Sequence, residues 1–202
     1  MQRDIKQRII EATIRLIEEK GSNIEEITVR EICSAAGTGI SQINYHFQTK
    51  ERLIEQCVQH IIGNVIARYN EAASALAGMP AVEALKRRTD ATCRFLYANE
   101  NISRVSILTD HRAARKDDNT AQTITAYLPM VETACKERNI AANPRSLATL
   151  LILAVQNLFL RTDIIKEEMG IDLRNDGERR EFIDDYVERL FCADSRFNDV
   201  NV

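Results

Sequence analysis

The chain has 202 residues, 45% of them hydrophobic and 28% charged, with 7 glycines and 3 prolines. So few chain breakers leave too few turns for an all-β fold, and apolar residues recur at helical spacing almost throughout. The formal net charge of -3 offers no broad basic surface, so any nucleic-acid binding must rest on a few placed cations and helix N-termini.

Residues 3–20 are expected to form a first helix, with Ile5, Ile9, Ala12 and Leu16 on one stripe and Gly21 as its stop. A polar linker, Ser22 to Ile27, leads to Thr28, a helix-capping residue followed three positions later by Glu31. That spacing is a capping box, in which each residue satisfies the other's open backbone N–H. The short helix Val29 to Ala36 is expected to bury Val29, Ile32, Cys33 and Ala36, and to end at Gly37, where positive φ permits a sharp turn.

A second short helix spans Gly39 to Phe47, and Thr49 caps a long fourth one reaching about Ala77, with Glu51 and Arg52 in its first turn. Ala77 to Pro80 breaks the pattern, and the next helix runs to about Tyr97. A shorter helix covers Ile102 to about Ala113, and Arg115 to Asn119 is a polar connection. The helix from Thr120 to Arg138 contains Pro129, which predicts a kink or break near Tyr127. Asn143 and Pro144 start a helix from Arg145 to about Met169, Gly170 to Gly177 is loop, and the last helix covers about Glu178 to Phe191. About nine helices result, and the fold class is all-α.

Two short helices joined by a glycine turn, behind a longer supporting helix, have the layout of a helix-turn-helix. At 100° per residue, Ile40, Ile43 and Phe47 fall on the side of the 39–47 helix that can pack on a core. Ser41, Gln42 and Tyr45 point away, with Asn44 and His46 on the flanks. Amides and hydroxyls on such a face suit base edges in a major groove. Thr28, Arg30 and Lys50 are placed for backbone phosphates, Lys50 being the best single cation. Any short amphipathic helix pair has a similar outline, and Tyr45 and Phe47 could equally be core aromatics.

The stretch Thr28-Val29-Arg30-Glu31-Ile32, then Ala36-Gly37, then Ile43-Asn44-Tyr45-His46-Phe47 through Thr49-Lys50-Glu51-Arg52-Leu53-Ile54 resembles the DNA-binding signature of the TetR family. The first helix also matches, from Ile9-Ile10-x-Ala12 to Glu19-Lys20-Gly21, so the resemblance covers roughly residues 5–58. Thr38 and Gly39 depart from it, standing where an apolar residue and a polar capping residue are usual. The resemblance implies that Ser41, Gln42, Asn44, Tyr45 and His46 face DNA, with Thr28, Arg30 and Lys50 on phosphates. It also implies a three-helix helix-turn-helix DNA-binding domain over residues 1–48. A helical domain for ligand binding and dimerisation follows over 49–202.

Beyond residue 60 the resemblance is one of plan only. The 145–169 helix is apolar nearly all round, and the last helix carries a broad apolar stripe. A dimer face containing Leu151, Val155, Leu158, Phe182, Tyr186 and Leu190 would cover both and form a four-helix bundle, although the two helices could simply cover each other within a monomer. Polar groups set in apolar helices mark a candidate small-molecule pocket: Tyr69, Arg94, Tyr97, His111, Tyr127, Asn157 and Arg161.

The 5 cysteines show no metal spacing, which predicts reduced thiols in a cytoplasmic protein with no metal or cofactor. No leader is expected, because the N-terminus opens as a charged amphipathic helix. The most apolar stretch, Leu147 to Leu160, is shorter than the roughly 20 residues a membrane span needs. No nucleophile elbow, phosphate loop or HExxH is present, and His46, His60 and His111 form no acid–base set, so an enzyme is not expected. These readings point to a regulator that binds a palindromic operator as a homodimer and is released by a small molecule. The alternative is a DNA-binding adaptor with no inducer.

Overall fold

The structure is a computed structural model that describes residues 5–20, 24–71, 78–113 and 115–192, apart from the side chains of residues 25 and 69–71. The elements are α1 (Ile5–Lys20), a 3-10 turn (Ile24–Glu26), α2 (Val29–Ala36), α3 (Ile40–Phe47), α4 (Lys50–Glu71), α5 (Ala81–Ala98), α6 (Glu100–Ala113), α7 (Asn119–Glu137), α8 (Pro144–Leu160), α9 (Thr162–Met169) and α10 (Asp176–Leu190). No strand occurs among the described residues. The expected stop at Gly21 and the end of the fourth helix near Ala77 lie outside the described residues.

The chain divides into two compact units, residues 1–69 with 98–121 and residues 70–97 with 122–202. In the first, Ile9, Ala12 and Ile17 of α1, Ile32 of α2, Ile43 and Phe47 of α3 and Leu53, Cys57 and Val58 of α4 are all buried. Stripes three and four residues apart bring these side chains to one side of each helix. Asp110 of α6 ties this unit together. Its carboxylate accepts from Gln59 Nε2 of α4 at 2.6 Å and from the backbone N–H and hydroxyl of Thr120, both at 2.8 Å. Burial pushes the Asp110 carboxyl above its ordinary value, and these three donors oppose the shift.

In the second unit Val82, Leu85, Tyr127, Val131, Ala148, Leu151, Val155, Phe159, Ile183 and Val187 form the core. Arg179 of α10 is only 2% exposed. Its guanidinium donates to Asp90 Oδ1 at 3.1 Å, to Asp176 Oδ1 at 2.6 Å and to the Leu173 carbonyl at 3.4 Å, which satisfies a charge that would otherwise be costly to bury.

Three sequence expectations change here. Pro129 sits inside a continuous α7, so of the kink or break expected near Tyr127 no break occurs. The single helix expected over 145–169 is two helices, α8 and α9, that meet at an angle of 83°. Arg161 leaves the helical backbone at the corner (φ -112, ψ 19), and the Thr162 hydroxyl donates to the carbonyls of Phe159 at 2.8 Å and Leu158 at 3.2 Å. That local bond competes with the helix ladder and closes it off. The corner raises the number of α-helices among the described residues to ten, not nine. Among those residues no single helix is long and apolar enough to cross a membrane.

Candidate nucleic-acid interface

The capping box at the start of α2 forms as expected. Thr28 Oγ1 accepts from the Glu31 N–H at 3.2 Å, and Glu31 Oε2 accepts from the Thr28 N–H at 2.8 Å. The Thr28 hydroxyl also donates to Glu31 Oε2 at 2.8 Å, so its proton is held within the cap. Lys20 Nζ adds an ion pair to Glu31 at 2.8 Å. The Lys20 ammonium first, and then the Thr28 bonds, hold the Glu31 carboxyl down at about 2.

At the other end of α2, Gly37 is left-handed (φ 60, ψ 47). Its N–H reaches Ser34 O at 3.3 Å while the Thr38 N–H reaches Cys33 O at 3.0 Å, the paired bonds of a Schellman motif. Arg8 of α1 completes this end by donating to the carbonyls of Ala36 at 2.7 Å and Gly37 at 3.1 Å. Sequence reasoning missed Arg8, which lies on the flank of the α1 stripe and bears no local signature.

The next helix, α3, lies after this turn. Ile43 and Phe47 are buried, Ser41 and Asn44 are exposed, Tyr45 is 81% exposed, and Gln42 and His46 are half-buried on the flank. Tyr45 and His46 meet edge to face at 4.9 Å. One expectation is corrected: Ile40, placed with the core by its helical angle, is 50% exposed. As the first residue of α3 it has no preceding turn, and the core contact begins one turn later at Ile43.

Between α3 and α4 the chain reverses through Gln48 at positive φ (68), with the Thr49 N–H on the Phe47 carbonyl at 2.8 Å. Gln48 Oε1 accepts from Arg52 Nη1, and Thr49 Oγ1 caps α4 by accepting the Arg52 N–H at 3.2 Å. Thr28 and Arg30 are exposed, and Lys50 is half-buried. Lys50 lines an open groove of about 410 Å³ with Ile24, Ile54, Val105, Leu108 and Arg112. The first unit therefore presents an α3 face of small polar and aromatic groups, with Lys50 and Arg30 on neighbouring helices. Such a helix fits a major groove, where amides and hydroxyls meet base edges and cations meet phosphates.

Residues 9–57 match the sequence profile described as "Bacterial regulatory proteins, tetR family". Over this N-terminal stretch the chain is similar to that family of regulatory proteins. The fold agrees along the chain's length. FadR from Bacillus subtilis, solved in complex with stearoyl-CoA, is 16% identical with a TM-score of 0.57, covering 93% of this chain and 97% of that one. A TetR family transcription regulator from Marinobacter aquaeolei is 18% identical with a TM-score of 0.55 (92% and 94% covered). Salmonella enterica GusR is 19% identical with a TM-score of 0.55 (93% and 95% covered). A comparison with curated protein sequences returned no match.

The residues expected around a small molecule fall in both units. The side chain of Tyr69 lies outside the described residues, and His111 belongs to the first unit. In the second unit Arg94, Asn157 and Arg161 are exposed. Tyr127 is buried against Thr92, hydroxyl to hydroxyl at 2.6 Å, and Arg88 lies 4.8 Å above its ring. Tyr97 is half-buried and bonds the Thr162 hydroxyl at 3.0 Å. Burial pushes both phenols up to about 12, so both stay protonated near neutral pH.

Of the residues expected at a dimer face, Leu151 and Val155 are covered within the single chain. Leu158, Phe182, Tyr186 and Leu190 remain half-buried, beside Leu150, which is 56% exposed. Burial also pushes the Cys57 and Cys93 thiols up to about 12, leaving them inert.

Proposed function

We propose that this chain represses transcription as a homodimer that binds a palindromic operator and releases it when a small molecule binds the second unit. The observation that carries the reading is the α3 face: Ser41, Asn44 and an 81% exposed Tyr45 project outward, while Ile43 and Phe47 anchor the helix from behind. Tyr45 offers an aromatic ring and a hydroxyl to a partner while packing only edge-on against His46. Gln42 and His46 flank the face, and Arg30, Lys50 and the start of α2 at Thr28 supply the phosphate side. The domain boundary relevant to DNA falls after α3, with residues 1–48 as the reading head and 49–202 as the regulatory part.

Release by a ligand draws support from two sources. A protein of this fold was solved with stearoyl-CoA. The core of the second unit also carries polar groups, the buried Arg88 and Tyr127 and the half-buried Thr92, where a ligand could be oriented by exchanging the Thr92–Tyr127 bond. By linkage, a compound that weakens operator binding a hundredfold must bind the operator complex about a hundredfold more weakly than the free protein.

The test is fluorescence anisotropy on DNA flanking the protein's own gene. Tyr45→Ala and Lys50→Ala are expected to weaken binding, and Lys50→Ala to lower the salt slope by about one unit. If both variants bind as tightly as wild type, α3 is not the reading head.

A further inference from the structure

Ile40 is the first residue of α3 and half of it faces water, although it belongs to a helix whose other two large aliphatic or aromatic anchors are buried. Gly39 before it is extended (φ -95, ψ 159), and a Cβ built there would meet only Ser41 Oγ, at 3.8 Å. Asn44 stands one turn later on the same face and is exposed, with Ser41 and Tyr45 beside it. Ile40 is therefore an apolar spot at the leading end of an otherwise polar reading face.

We propose that Ile40 reads a thymine, packing on its C5-methyl group in the major groove beside the base edge met by Asn44. The proposal rests on the DNA-binding reading of α3 and assigns one position of the operator. N-terminal residues of a recognition helix approach base edges most closely. The thymine methyl is the one apolar group that a major groove displays, while cytosine at the same place shows an amino donor and no methyl. An isoleucine pressed on cytosine would bury that donor without a partner, so the side chain both favours thymine and rejects cytosine. Gly39, directly before Ile40, adds no side chain of its own at the helix start.

The test replaces each thymine of a selected operator with deoxyuridine, one position at a time and in both half-sites, and reads affinity by anisotropy. This substitution deletes one methyl group and leaves base pairing intact. At one position wild type is expected to bind about three- to fourfold more weakly per half-site, the value of one buried methyl group. Ile40→Ala is expected to be indifferent to the change at that position, while Ile40→Val keeps most of the preference. If wild type binds the operator but no deoxyuridine matters, or if the sensitivity persists in Ile40→Ala, this assignment is wrong and the DNA-binding reading stands. If wild type shows no sequence-preferring DNA binding at all, that reading fails and takes this one with it.

Discussion

Arg8 of α1 holds the carbonyl of Gly37 at 3.1 Å across 29 residues of sequence, and so fastens the first helix to the turn that aims α3. The same guanidinium nitrogen lies 3.0 Å from where a Cβ on Gly37 would stand. The two residues are thus coupled: the turn needs a glycine for its positive φ and also for the room that Arg8 occupies.

Arg8→Ala is expected to destabilise the chain by about 1–3 kcal/mol, the usual range for hydrogen bonds from a charged donor. Gly37→Ala should cost about 1–2 kcal/mol for the left-handed backbone alone, plus whatever displacing Arg8 adds. The double variant should lose less than the sum, since without Arg8 the methyl group meets no obstacle. Urea unfolding followed by circular dichroism measures all three, and strictly additive losses would show that the contact does not join the two residues.

Local chemistry made the first unit legible from sequence. A capping box and a Schellman turn are fixed by residues within six positions of one another, and Thr28, Glu31 and Gly37 took the geometry their types demand. Ile40 misled because a helical wheel gives an angle but not whether a turn exists to cover it. The corner at Arg161 was invisible because apolar periodicity continues through it, while the Thr162 hydroxyl ends the helix. An apolar stripe does not say whose surface covers it, and in the single chain Leu151 and Val155 are already buried. The polar groups expected around a ligand have partners of their own in two cases, Tyr127 with Thr92 and Tyr97 with Thr162, and no periodicity predicts such pairs.

The Glu31 carboxyl makes the start of α2 acid-sensitive. Its folded-state value is about 2 against an ordinary 4.5, held down chiefly by the Lys20 ammonium and next by the Thr28 bonds. A carboxyl lowered on folding adds stability above its unfolded value, and that share is lost as pH falls from about 4.5 to about 2. Glu31→Gln keeps a capping side chain but carries no charge for Lys20. Its melting temperature should lie below wild type near neutral pH, and the gap should narrow steadily through that acid window. A gap that stays constant down to about pH 2 would remove the charge on Glu31 as its cause.

Dimerisation by α8 and α10 makes opposite predictions for adjacent leucines. Leu151 is fully buried inside the chain, whereas Leu150 is 56% exposed and its carbonyl accepts from the Tyr186 hydroxyl at 3.5 Å. Phe182, Tyr186, Leu158 and Leu190 are half-buried around them, an apolar face that a second copy would cover through a two-fold axis. Leu151→Asp buries an unpaired carboxylate in the core and should abolish folding, seen as lost helical signal. Leu150→Asp and Phe182→Asp place the charge where a lone chain leaves it in water, so helix content should survive. Across an interface the same carboxylate would be buried, and both variants should become monomers. Light scattering should then give 23.0 kDa for them and twice that for wild type. Operator affinity should fall with assembly, because a monomer engages one half-site only. Wild type scattering as a 23.0 kDa particle at micromolar concentration would end the dimer proposal. Variants that kept the doubled mass would move the interface away from α8 and α10.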